Sequence, residues 1–177
     1  METPFVLQTL ARYHANANEN LASLVVPLDH RWDEPCGSYF GTVKGLLNHI
    51  CASDIRWFQR FAENNWGTPA WRKAVAALPV LAAGTGVFSD ARGWKALRTT
   101  LDSLWLDLAA SFDGSRFDEP FTYTTIQKEV VTARWAGVFF HLLNHQTHHR
   151  GAVSQILDAW GVENDYSGLV KSFAVDK

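Results

Sequence analysis

The chain has 177 residues, enough to bury one core without disulfide support and short for two domains. Its 47% hydrophobic content, with eight Trp and eleven Phe, and its 19% charged residues describe a packed globular protein and exclude a disordered one. Sixteen Lys and Arg against eighteen Asp and Glu give a formal net charge of -2 with no concentrated basic stretch, which argues against direct nucleic-acid binding.

The start, Met1 to Leu10, has neither the basic nor the uninterrupted apolar region of a secretory signal. The most apolar later run, Ala74 to Ala83, is short and broken by Pro79, so a cytoplasmic protein that does not enter a membrane is expected. Cys36 and Cys51 are too sparse for a secreted disulfide framework and are read as reduced thiols, Cys51 as a packing residue.

Apolar residues at Val6, Leu10, Tyr13, Ala17, Leu21 and Leu24 predict a first helix from Phe5 to about Val26, ended by Pro27 and a turn-rich connecting loop. A second helix is predicted from Gly41 to Glu63, with Leu46, Leu47, Ile50, Trp57, Phe58 and Phe61 buried and Arg56, Gln59, Arg60 and Glu63 outward. His49 and Asp54 interrupt its apolar stripe. Turn residues between Asn64 and Phe88 predict a long crossover with only short helical pieces.

Ser89 or Asp90 can cap a third helix, whose stripe runs from Trp94 through Leu97, Leu101, Leu104, Trp105 and Leu108 to Phe112 and ends at Asp113-Gly114. The β-branched runs Phe121 to Thr125 and Lys128 to Thr132 predict a small hairpin about Ile126-Gln127. A fourth helix is predicted from about Arg134 to Trp160, stopped by Gly161. Four long amphipathic helices with one crossover describe a single all-α domain, a four-helix bundle, whose interior is a place to assemble a metal site.

Four histidines fall within nine residues of the last helix: His141, His145, His148 and His149. At 100° per residue His145 and His149 stack one above the other, with His141 and His148 in the same quadrant. Neutral imidazoles gathered on a core-facing stripe invite a divalent metal, and His49, on the buried side of the second helix, is the candidate third ligand. Three imidazoles leave a fourth position for water or substrate, as in catalytic zinc sites; nickel or iron suits the same ligands. The competing reading is that His49 hydrogen-bonds within the core and the cluster is a polar seam.

His148 is a candidate proton shuttle or hydrogen-bond donor behind the ligands, with interhelical hydrogen bonding as its plainer role. Asp54, a carboxylate in an apolar stripe, is a minor candidate for general base and is expected to pair with Arg150, Arg134 or a histidine N–H. His14 and His30 are read as ordinary, partly exposed residues. Trp32, Trp66 and Trp71 lie in loops and are candidates to wall a pocket or a subunit interface. The His-Glu-x-x-His pattern, a Gly-rich phosphate loop and a Gly-x-Ser-x-Gly elbow are all absent from the sequence.

Three stretches resemble the DinB/YfiT-like family of metal-dependent proteins, named for damage-inducible members: Tyr13-His-Ala-Asn-Ala-Asn18, Gly37 through His49 to Trp57, and His141-Leu-Leu-Asn-His145-Gln-Thr-His-His149-Arg-Gly151. The resemblance spans almost the whole chain. It implies a four-helix bundle with a long crossover, zinc or nickel on His49, His145 and His149, and a homodimer. Its relatives include transferases and isomerases that use low-molecular-weight thiols such as bacillithiol or mycothiol. One departure is that the family commonly places Gln after His-Arg-Gly where this chain has Ala152, with Gln155 the nearest substitute.

The expectation is a metal-dependent enzyme acting on a small molecule, a thiol S-transferase in its leading form. The rivals are a metal-dependent hydrolase and a non-catalytic metal-binding protein that captures a ligand in a stress response.

Overall fold

The first helix, α1 (Thr3–Val25), buries Leu7, Ala11, His14, Asn18, Leu21 and Val25, one residue per turn along a single stripe. The computed structural model describes residues 3–81, 86–125, 127–165 and 168–170. Part of the apolar run ending at Ala83, part of the predicted crossover and Ile126 of the predicted hairpin turn lie outside the described residues.

Pro27 does not release the chain into a loop. It occupies the first turn of a 3-10 helix, Val26–Arg31, where its missing N–H is harmless. Trp32 follows, buried, its indole N–H donating to Val25 O at 2.8 Å. Helix α2 (Val43–Glu63) starts two residues later than predicted because Thr42 caps it, accepting from the Gly45 N–H at 3.0 Å. It ends in a turn in which Asn65 and Gly67 take positive φ, 59° and 71°.

The crossover holds one short helix, α3 (Pro69–Ala76), capped by the Thr68 hydroxyl and opened by proline. Helix α4 (Ala91–Ala110) is capped by Asp90, whose carboxylate accepts from the Gly93 N–H at 2.7 Å. It stops at Ala110, short of the predicted Asp113-Gly114, yet Phe112 beyond it stays buried.

Strands β1 (Pro120–Thr124) and β2 (Val130–Arg134) pair antiparallel with Phe121 opposite Ala133 and Tyr123 opposite Val131. Strand β2 passes without a linker into α5 (Trp135–Ala159), and Gly161, at φ 75°, closes that helix. At the junction the Trp135 ring stacks on Trp66, 4.5 Å away at 15°, and on Phe112, 4.4 Å away at 21°, and those two rings lie 6.2 Å from each other.

The fold is thus mostly helical with one small antiparallel sheet. Helix α1 packs on α4 and α5, and α2 packs on the same two helices. No helix among the described residues is long and apolar enough to cross a membrane. Trp32, Trp66 and Trp71 are all buried; Trp66 and Trp71 each line a cavity, and Trp71 lies not in a loop but in α3, donating to Leu104 O at 2.8 Å. Their indoles were the apolar mass available to seal the crossover against α4 and α5, which burial rewards.

Candidate metal centre

Helix α2 carries His49 and α5 carries His145 and His149 to a common point. His145 Nε2 lies 2.9 Å from His49 Nε2 and 3.1 Å from His149 Nε2, and the three residues form a cluster close enough to hold a metal ion. His145 and His149 meet because residues four apart on a helix are neighbours. His49 meets them because α2 packs on α5.

Phe40, in the loop before α2, stacks on His49 (centroids 4.2 Å apart, 26°) and meets His149 edge-on at 5.4 Å. That loop can approach because Gly45 has no side chain; a methyl group there would overlap the Phe40 carbonyl oxygen.

All three imidazoles are pulled down to about 4, in each case chiefly by burial and then by the neighbouring imidazole charge. At neutral pH they are therefore uncharged, the form that ligates. Three inward-facing nitrogens cannot all be satisfied by hydrogen bonds to one another, since any pair needs a proton between them. A tetrahedral ion with metal–nitrogen bonds of about 2.0–2.1 Å needs nitrogens roughly 3.3–3.4 Å apart, a few tenths of an ångström wider than the two separations from His145, and all three ligand atoms lie within 4.8 Å of one another. The donor set could hold a metal ion.

The other two histidines of the cluster stay outside. His141 is exposed, 6.0 Å from the His145 ring and 6.4 Å from Trp57, and His148 is exposed with its ring 4.8 Å from that of His149. Cys51, two residues from His49, is fully buried, its thiol pushed up to about 12 by that burial, so it packs.

Behind the triad lies a buried polar layer drawn from four helices. Asp54 Oδ2 accepts from Arg98 Nη1 at 2.7 Å, and its two oxygens accept from Gln146 Nε2 at 3.0 and 2.9 Å. Arg98 Nη2 lies 2.9 Å from Asp102 Oδ1, close enough for an ion pair but misaligned for a hydrogen bond. Asn18 donates to that same carboxylate oxygen at 2.8 Å. Arg150 Nη1 donates to Asn18 Oδ1 at 3.2 Å and Gln146 Oε1 at 3.3 Å, and lies 2.9 Å from His14 Nδ1. Burial pushes Asp102 up to about 6 against the pull of Arg98. Burial, followed by the Arg150 charge, holds His14 well below the usual histidine range.

Three sequence expectations change here. Asp54 pairs with Arg98 and Gln146 rather than with Arg150, Arg134 or a histidine, because the buried stripe of α4 brings Arg98 to it. His14 is buried, with 3% of its surface exposed, because it sits one turn before Asn18 on the α1 stripe; His30 is exposed, in the 3-10 helix. Arg56 and Arg60 do not simply point outward but are half-buried beside the β1–β2 hairpin. The signal for the polar layer was in the sequence as polar residues at core-facing positions: His14 and Asn18, Arg98 and Asp102, Gln146 and Arg150, each pair four apart.

No family model, curated protein or solved structure matches this chain.

Proposed function

We propose that the protein is a metal-dependent enzyme, a thiol S-transferase with zinc or nickel on His49, His145 and His149, built on a four-helix bundle of the DinB/YfiT type. The observation that carries the reading is the convergence of three uncharged Nε2 atoms from two helices, 2.9 and 3.1 Å apart. The resemblance of the Tyr13–Asn18, Gly37–Trp57 and His141–Gly151 stretches to that family supports the same ligands and the same bundle.

A bound divalent ion supplies Lewis acidity, favouring thiolate over thiol at neutral pH. The chain supplies the surroundings. His49 is held by its stack on Phe40, which shields one side of the triad. On the other side His49 borders a cavity of about 260 Å³ walled by Trp57 and Tyr123, room for a small electrophile. Both oxygens of Asp54 are engaged by Arg98 and Gln146, so that carboxylate orients α5 and is not free to take a proton from water.

The test is elemental analysis of protein purified without a metal-affinity tag, followed by a panel of low-molecular-weight thiols with model electrophiles. About one transition metal per chain and a thiol-dependent rate abolished by chelation are expected. Metal-replete protein with no rate above the stripped form for any thiol would overturn the transferase, and protein that takes up neither zinc nor nickel would overturn the centre.

A further inference from the structure

Along α2, His49, Ser53, Arg56 and Arg60 are spaced four, three and four residues apart and so form one stripe. The stripe faces the hairpin across the cavity of about 260 Å³, whose walls also include Trp57 and Tyr123. Its two arginines are used differently. Arg60 donates to Thr124 O at 2.8 Å and lies over the Trp57 and Tyr123 rings at 4.6 and 5.1 Å, tying the hairpin to α2. Arg56, one turn nearer the triad, is half-buried and has no hydrogen bond or ion pair with any described residue.

Several exposed cations of this chain find carboxylates, among them Lys95 with Glu19 at 3.1 Å and Arg134 with Asp118 at 2.8 Å. No carboxylate lines the cavity at Arg56. A half-desolvated guanidinium with its donors unused is an anion subsite waiting for its partner.

We propose that this cavity is the substrate subsite of the centre and takes a small carboxylate, with its acid group on Arg56, its apolar body between Trp57 and Tyr123, and its far end toward His49. The planar fork of one unengaged guanidinium matches the two oxygens of a carboxylate, and the other guanidinium at the cavity, Arg60, is turned to the hairpin carbonyl and the Trp57 and Tyr123 rings. Seven residues of helix separate Arg56 from His49, about 10 Å along the axis, a span suited to a molecule a few carbons long. The assignment rests on the metal-centre reading for its function but not for its binding energy.

The experiment titrates benzoate, its neutral counterpart benzamide and inorganic phosphate calorimetrically into wild type, Arg56→Gln and Arg56→Lys, with metal content and melting temperature measured on the same samples. Benzoate is expected to bind wild type, with benzamide and the Arg56→Gln variant each weaker by about tenfold or more and Arg56→Lys between. Metal content and melting temperature are expected to stay at wild-type values. Equal benzoate binding by Arg56→Gln, equal binding of benzoate and benzamide, binding of phosphate alone, or no binding to wild type would overturn the subsite. If Arg56→Gln does not fold, undiminished benzoate binding by Arg56→Lys overturns it and weakened binding supports it. A wild type without metal that still binds benzoate through Arg56 would sink the metal centre and leave the subsite standing.

Discussion

His49 Nε2 and His145 Nε2 lie 2.9 Å apart although 96 residues separate them in the chain. Two ring nitrogens at that distance repel unless a proton or a cation lies between them, and His149 brings a third to the same point. Replacing any one of the three by Ala is expected to take metal from about one ion per chain to none. Replacing His141 or His148, whose rings are exposed, is expected to leave it at one. Mass spectrometry of the intact protein under native conditions distinguishes these outcomes, and metal retained by His145→Ala would refute the ligand set.

The pH dependence follows from the same three groups. Their folded-state values are about 4, below the ordinary histidine value of about 6.5, so between those limits the unfolded chain binds more protons than the folded one. Stability of the metal-free protein is therefore fully present above about 6.5 and falls as pH drops toward 4. Metal, which competes only with protons on the folded triad, is expected to stay bound until the pH falls through about 4. Acid titration followed by melting temperature and by metal release checks both; release centred near 6.5 would contradict the burial of the triad.

Asp54 and Arg98 form an ion pair with side chains 1% and 4% exposed. Removing one partner leaves a buried charge poorly compensated, which costs about 3–5 kcal/mol elsewhere. Asp54→Asn is expected to destabilise the protein by about 3 kcal/mol, the low end, because Asp102 still faces the guanidinium. Urea denaturation measures it, and a loss below about 1 kcal/mol would mean that the pair is carried by the surrounding amides instead.

Trp135 is fully buried in its aromatic stack, yet its indole N–H has no hydrogen-bond partner among the described residues. The two facts predict opposite results for two substitutions. Trp135→Ala empties the stack and is expected to cost about 3–5 kcal/mol. Trp135→Phe keeps a ring and removes an unsatisfied donor, and is expected to cost less than about 1.5 kcal/mol. Thermal unfolding of both variants separates packing from polar effects at one position.

The long helices were legible in the sequence because their apolar residues recur with helical spacing, and Asp90 marks a helix start by the chemistry of its side chain. The three candidate ligands were legible for a related reason: histidines interrupt stripes that are otherwise apolar. The 3-10 helix after Val25 was not, because proline reads as a break whether the chain turns loosely or tightens from about 3.6 to about 3.0 residues per turn. The partner of Asp54 was not either, since the sequence shows which face a residue occupies and not which helix lies opposite. Arg56 reads as a solvated charge until the hairpin, some seventy residues on, is folded across it.

Gln146 follows His145 by one residue and bonds Asp54, which follows His49 by five. A chain assembled with α5 slipped one turn along α2 so that Arg150 stands opposite Asp54 would move His145 by about 5.4 Å and put His149 and Val153 in the places of His145 and His149. Such a mispaired molecule keeps its helices and much of its apolar contact, and circular dichroism would scarcely tell it apart. It offers the ion two histidines instead of three, so ions counted per chain in a preparation separate it from correctly assembled molecules.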